Sequence, residues 1–345
     1  MNHPTILEAF RLGPQWKMYD PFLFCAHHDD RYPAGDDRMA PKASLAGRQM
    51  GMDFDPSLDW RMYHGHGVPG FPAHPHRGFE TITLARKGFI DHSDSLGAAA
   101  RFGNGDIQWL TAGAGIQHSE MFPLVHADKD NHTELFQIWL NLPAKSKMAK
   151  PHFQMTWAND VPKFDAQDSQ GRTITTTTIT GTPLGAPPEM CANTPTPPPD
   201  SWAADTHNQV RIVALRLDPG AEFTIPAVEE GINRALYVFE GEGVTVQGEV
   251  LPGRVGLKLK PNEPIVIKNG AVETEMLLME GRPINEPVAQ HGPFVMNYPG
   301  EIRQAMLDYQ QTRFGGWPWP SDDPAHPRTQ GRFARFADGS IEEPT

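Results

Sequence analysis

The chain is poor in cysteine: two among 345 residues, Cys25 and Cys191, far apart in sequence. That argues against a disulfide-stapled secreted scaffold and fits a reducing cytoplasm, with both thiols read as inert. Basic residues are also short, 30 Lys and Arg against 42 Asp and Glu, for a formal charge of −12. Duplex binding needs a basic face that displaces counterions, so no direct nucleic-acid contact is expected. Long hydrophobic runs are missing as well. No stretch of about 18 apolar residues occurs, and mean hydropathy is −0.48, so no membrane association is expected. The opening MNHPTILEAFRLG lacks the basic-then-apolar order of a secretory signal. A cytoplasmic location is the expectation.

What is plentiful is proline (34) and glycine (32), about a fifth of the chain. That suits many short strands joined by turns better than a helical bundle. The length suggests two domains of roughly 150 residues, or one large one with insertions. Histidine is uneven: twelve of the fifteen lie at or before His152. Metal or proton chemistry is therefore expected in the first half.

Strand signals recur as Phe79–Leu84, Asp106–Leu110 and Glu134–Leu142 in the first half. They resume as Gln209–Leu217, Ala235–Glu240, Val255–Leu259, Pro264–Lys268 and Thr274–Met279. Short strands without helical crossovers imply an antiparallel sandwich or barrel. Between the halves, a plausible Thr175–Thr178 strand precedes proline-rich stretches at 182–188 and 194–199, read as an exposed connection. One helix is predicted at Gly300–Thr312, with Ile302, Ala305, Met306 and Tyr309 on one face. Beyond Gly315 the tail reads as irregular, its tryptophans resting on the body. ETITLARKG at 80–88 overlays NRALYVFEG at 233–241, a weak internal repeat. The expected division is 1–160, an N-terminal barrel; 161–208, a Pro/Thr-rich connection; 209–298, a second barrel; and 299–345, helix and tail.

The strongest local signal is His74-Pro75-His76-Arg77-Gly78-Phe79-Glu80. In an extended chain, residues two apart share a face, so His74 and His76 look into one space. Carrying that parity forward adds Glu80, Ile82 and Leu84. The pattern recurs as His118-Ser119-Glu120 after a glycine-rich turn. Three imidazoles and a carboxylate suit Fe²⁺, Cu²⁺, Mn²⁺ or Ni²⁺ in an open-sided site, with Zn²⁺ also compatible.

These motifs resemble cupin motifs. More specifically GFPAHPHRGFETITL, HSDSLG, GDIQWLTAGAGIQHSEM and FQIWLNLPAKSKM are similar to the pirin family, as are Asp20-Pro21-Phe22-Leu23 and Gly292-Pro293-Phe294-Val295-Met296-Asn297. The resemblance runs from about Asp20 to about Tyr309. It implies an all-β bicupin, two antiparallel jelly-roll barrels with a short C-terminal helix, and one metal per chain, usually iron. The implied ligands are His74, His76, His118 and Glu120. Some bacterial members are linked to quercetin 2,3-dioxygenase activity, whereas the animal protein is regarded as a redox-responsive co-regulator. In the second copy Ala227, Glu229 and Asn233 take the places of His74, His76 and Glu80, and Val266 and Lys268 those of His118 and Glu120. That barrel is expected to lack the metal.

Other residues compete. His64 and His66 form a second pair, but in a loop. Glu80 is the ligand in many cupins; here it reads either as a partner to a histidine N–H or as a salt bridge to Arg77. His27-His28-Asp29-Asp30 reads as a surface turn. Phe71, Trp109 and Met121 are candidates to line an aromatic pocket or to be plain core. The leading expectation is an iron-dependent dioxygenase taking a small, flavonol-like or other enolisable aromatic substrate and dioxygen, with Glu120 as the catalytic base. The alternatives are a non-enzymatic, redox-responsive interaction protein with a protein partner, and isomerase or hydrolase chemistry on the same ligands.

Overall fold

The computed structural model describes residues 3–187 and 194–344. Cys191 lies outside the described residues. The fold is all-β with one α-helix, and the chain divides into two compact units. One unit comprises residues 26–158 and 286–345, the other residues 1–25 and 159–285. Each half of the sequence thus lends a terminal segment to the other's unit. No described helix is long and apolar enough to cross a membrane.

The unit holding most of the histidines is built on two antiparallel sheets. The five-stranded sheet runs His152–Thr156, Asp106–Thr111, Phe79–Lys87, Asn131–Asn141, Phe22–Tyr32. The six-stranded sheet runs Ile341–Glu342, Phe333–Arg335, Ala99–Gly103, Phe89–Asp94, Ile116–Met121, Gly70–His76. Phe79–Lys87 is buried along Phe79–Ala85 on both faces, which hides the polar-apolar alternation a one-sided strand would show. At one end of the interior, Ile90, Ala100, Phe102, Phe122, Leu135 and Met155 form an apolar floor.

The helix spans Pro299–Thr312, one residue longer than the sequence suggests, with Pro299 at its first position. The Glu301 carboxylate accepts from the backbone N–H groups of Asn297 and Tyr298, both at 2.9 Å, and satisfies donors the first turn leaves open. Ile302 and Ala305 are buried, and Met306 and Tyr309 pack with them against Phe294, Met296 and Phe314, as the apolar stripe predicts.

The tail departs from the irregular reading. Phe333–Arg335 pairs antiparallel with Ala99–Gly103, extending the six-stranded sheet. The cause lies in Arg101, only 1% exposed: it is bonded bidentately to Asp91 at 2.7 Å and donates to the carbonyls of His326, Pro327 and Gln330 at 2.9 Å. A buried guanidinium needs its donors filled, and the tail backbone fills them. Trp319 Nε1 donates to the Asp94 carbonyl at 2.8 Å, so this tryptophan does rest on the body.

The second unit carries a seven-stranded sheet, Ile6–Arg11, Val255–Leu259, Asn233–Glu240, Thr274–Gly281, Arg211–Leu217, Thr173–Thr180, Lys163–Gln167, and a four-stranded one. Within the 161–208 stretch assigned to the connection, Lys163–Gln167 and Thr173–Thr180 are sheet strands; the second contains the Thr175–Thr178 run read as a strand, and its Ile174, Thr176 and Thr178 alternate inward. The interior is filled by aliphatic side chains, among them Val213, Leu215, Leu236, Val238, Ile267 and Leu278. Val266 and Lys268, laid over His118 and Glu120 by the repeat, point outward, while Ile265 and Ile267 point in.

Candidate metal centre

His74, His76 and His118 come from two paired strands. Gly70–His76 runs antiparallel to Ile116–Met121 with His74 opposite His118, so both rings leave the same face. One donor nitrogen from each lies within 4.8 Å of the other two. His74 Nε2 and His118 Nε2 are 3.0 Å apart. Two imidazole nitrogens bound at right angles to one ion, each at about 2.1 Å, would be about 3 Å apart. The tautomer also fits: His74 Nδ1 donates to the Pro72 carbonyl at 2.9 Å, which turns the Nε2 lone pair inward.

Burial keeps the three rings neutral. His76 is 3% and His118 0% exposed. Loss of hydration lowers His74 to about 4 and holds His76 and His118 well below the usual range, the neighbouring imidazoles adding to it. Three neutral imidazoles converging on one point form the donor set a divalent ion takes.

Glu120 stands beside this set, its Oε2 3.8 Å from His118 Nε2. Gln137 Nε2 donates to Glu120 Oε2 at 2.9 Å, Thr83 Oγ1 lies 3.3 Å from Oε1, and the Thr83 hydroxyl donates to the Gln137 side-chain oxygen Oε1. Burial pushes the Glu120 carboxyl up to about 7, against the lowering pull of His92 and of those two hydrogen bonds. The carboxyl is therefore poised near neutrality, in reach of anything bound at the histidines.

The parity carried through Gly78 fails. Gly78 has φ +84°, and the chain there passes from one sheet to the other. The odd-numbered residues of the next strand face the histidines: Phe79 lies 5.0 Å from the His76 ring, and Thr83 touches Glu120. Glu80, Ile82 and Leu84 take the opposite face, where Glu80 accepts from Thr111 Oγ1 at 2.7 Å. Arg77 is not its salt-bridge partner; it pairs with Asp308 at 2.6 Å. A Cβ at Gly78 would meet the Val295 carbonyl oxygen. Gly78→Ala is expected to cost about 2–3 kcal/mol from that overlap and the left-handed backbone, read as a lowered midpoint in chemical unfolding; an unchanged midpoint would contradict this packing.

The other readings sort as follows. His64 Nδ1 donates to the Gly51 carbonyl, 2.6 Å away, and neither it nor His66 joins the three-histidine set. Residues 27–30 are no surface turn; they lie in Phe22–Tyr32, His27 on Glu134 and His28 on the Tyr63 hydroxyl, on opposite faces. Burial holds the Cys25 thiol well up. Phe71 sits 6.4 Å from the His74 ring, but Trp109 pairs with Ile82 and Met121 alternates with Glu120, so both face away. Besides Phe79, Trp139 is near, 5.5 Å from His76, and its odd-numbered place beside Gln137 is the signal the sequence offered. Asp29, His132 and Glu134 also cluster, but Glu134 balances Arg86 and Lys87. Burial alone would raise its carboxyl; His27, Arg86 and Lys87 bring it down to about 2.

Comparison with known proteins agrees with this architecture. The Pirin family model matches residues 5–140, and the Pirin C-terminal cupin domain model matches residues 212–315. A pirin-like protein of Solanum lycopersicum is 35% identical over 272 residues, covering 78% of this chain and 85% of the relative. Human pirin is 33% identical over 281 residues, covering 78% and 86%. The crystal structure of a quercetin 2,3-dioxygenase from Acinetobacter baumannii superimposes with a TM-score of 0.67 at 27% identity, covering 90% of this chain and 98% of that one. Two cupin-type units, with the histidine cluster in one and an aliphatic interior in the other, are accounted for by descent: the chain belongs to the pirin family.

Proposed function

We propose that the chain is a mononuclear metalloprotein, iron-dependent, that oxygenates a flavonol-like or other enolisable hydroxyaromatic substrate. The observation that carries this reading is the three-histidine convergence with a carboxyl of pKa about 7 beside it. His74, His76 and His118 would hold one divalent ion, with Glu120 completing the set. When bound, the ion would favour the deprotonated hydroxyl of the substrate and raise its electron density toward dioxygen.

The chain's own part is proton and water control. Glu120 takes the hydroxyl proton on a carboxylate oxygen, a transfer its pKa matches near neutral pH. Gln137 and Thr83 fix the carboxylate plane, so the basic oxygen faces the histidines. Phe79 and Trp139, packed at 4.3 Å beside His76, give the substrate an apolar wall and keep bulk water out. Similarity to the Acinetobacter baumannii enzyme supports the oxygenase reading.

The test is oxygen uptake by purified, iron-loaded protein over a panel of phenolics that includes quercetin. Steady consumption that depends on the metal is expected. Full metal occupancy with no consumption on any flavonol would overturn the oxygenase reading and favour a non-enzymatic binding role.

A further inference from the structure

The metal centre uses Thr83, Gln137 and Glu120 from the interior, yet the same face carries polar groups it does not use. Gln108 is fully buried, and neither its amide nitrogen nor its amide oxygen has a hydrogen-bond partner among the described residues. The register sets its direction. Gln108 is paired with Thr83 on one side and Met155 on the other, and Thr83 is paired with Gln137, so the four side chains share a face. Thr83 reaches Glu120 from that face, which aims Gln108 into the same interior.

The next row on this face is Phe153, Leu110, Thr81 and Trp139. The Thr81 hydroxyl has no partner among the described residues either. Neither does Nδ1 of His92, whose ring stacks on Phe153 at 5.1 Å. Between the histidine cluster and the apolar floor there is thus a band of three unfilled polar groups set among aromatic and aliphatic side chains. Buried polar atoms are normally paired, and a site that leaves both halves of one amide open is fitted to something that offers a donor and an acceptor together. A hydroxyl does so. Neither row contains Lys or Arg to balance a carboxylate or phosphate, and Phe153, Leu110 and Trp139 suit a flat ring.

We infer that Gln108 is a specificity-determining residue of this site: its amide takes a hydroxyl on the far end of a polyhydroxylated aromatic ligand, with Thr81 and His92 at the sides of the same subsite. This rests on the reading of the centre given under Proposed function and names the substrate feature that reading leaves open. It makes the interior selective for ring hydroxyls beyond the one that meets the histidines.

The experiment compares quercetin with 3-hydroxyflavone, the flavonol that has the reactive hydroxyl and none of the others. Dissociation constants for both are measured by fluorescence quenching on the iron-loaded wild type under anaerobic conditions, and on Gln108→Met and Thr81→Val, each with its melting temperature. Because the Gln108 amide holds no other group, Gln108→Met is expected to melt no lower than the wild type. Quercetin affinity should fall about tenfold or more in Gln108→Met, the value of a lost buried hydrogen bond. Thr81→Val should lower it less, and 3-hydroxyflavone affinity should change less than about twofold in either. A lowered melting temperature would make Gln108 a structural group and overturn the inference, as would equal losses for the two flavonols or no loss for quercetin. If the wild type holds iron but binds neither flavonol, the flavonol reading of the centre fails together with this subsite. The inference fails alone when the wild type binds both and Gln108→Met keeps the preference.

Discussion

Glu120→Gln is expected to lower turnover by about 10²- to 10⁴-fold, the range a positioned general base supplies, while leaving a folded protein. The carboxylate stands 3.8 Å from His118 Nε2 and, pushed up to about 7, can accept a proton near neutral pH, whereas burial keeps the three imidazoles neutral and the Pro72 carbonyl turns the His74 Nε2 lone pair inward. Glutamine fills the same volume and can keep the contacts to Thr83 and Gln137, since its amide oxygen still accepts from Gln137 Nε2. What it loses is basicity. The check is a steady-state oxygen-uptake assay alongside a melting curve. Undiminished turnover would remove Glu120 from the chemistry; a collapsed melting temperature would show that its buried contacts dominate its role.

The metal-free protein should lose stability steeply as the pH falls from about 6.5 to 5. Burial lowers His74 to about 4, and His76 and His118 lie well below their usual range, so the unfolded chain binds protons that the fold excludes. Their contribution is fully present above about 6.5 and is withdrawn as the pH drops toward the folded values. Glu120 runs the other way: raised to about 7, it favours the fold below about 4.5 and loses that share as the pH rises through 7. His74 alone withdraws about 2 kcal/mol over that window. The two more deeply buried rings act in the same direction, and Glu120 offsets part of the change. The net change is a loss of stability toward acid, in the direction set by the three rings. Denaturant melts of chelator-treated protein at pH 7 and pH 5 read it directly. Flat stability across that window would mean the imidazoles are hydrated in solution. Restoring the metal should move the loss to lower pH, because a bound ion competes with the protons.

The histidine cluster was legible because two-apart spacing survives in any extended strand: His74 and His76 share a face whatever the fold, and the strand opposite brings His118 to them. Parity gave out at Gly78, where a left-handed residue changes sheet and inverts the face for everything after it. Glu80 was misplaced for that reason and Thr83 missed with it; Gln137 and Trp139, on a separate strand, are placed only by the pairing of Asn131–Asn141 with Phe79–Lys87. A strand buried on both faces offers no alternation to reset the count. The helix was read from its apolar stripe. The tail was not, because Phe333–Arg335 has little strand signal of its own and owes its pairing to Arg101, more than two hundred residues earlier. Gln108 sits inside a readable strand, but only the partners of its amide distinguish it from core polarity.

The central claim is that one ion sits at His74, His76 and His118. Elemental analysis after anaerobic iron loading and desalting, on the wild type and on His118→Ala, tests it most directly. The account predicts about one iron per wild-type chain and almost none in the variant, since two imidazoles and a half-protonated carboxyl hold a divalent ion weakly. Equal iron in both proteins, or none in the wild type, would contradict it.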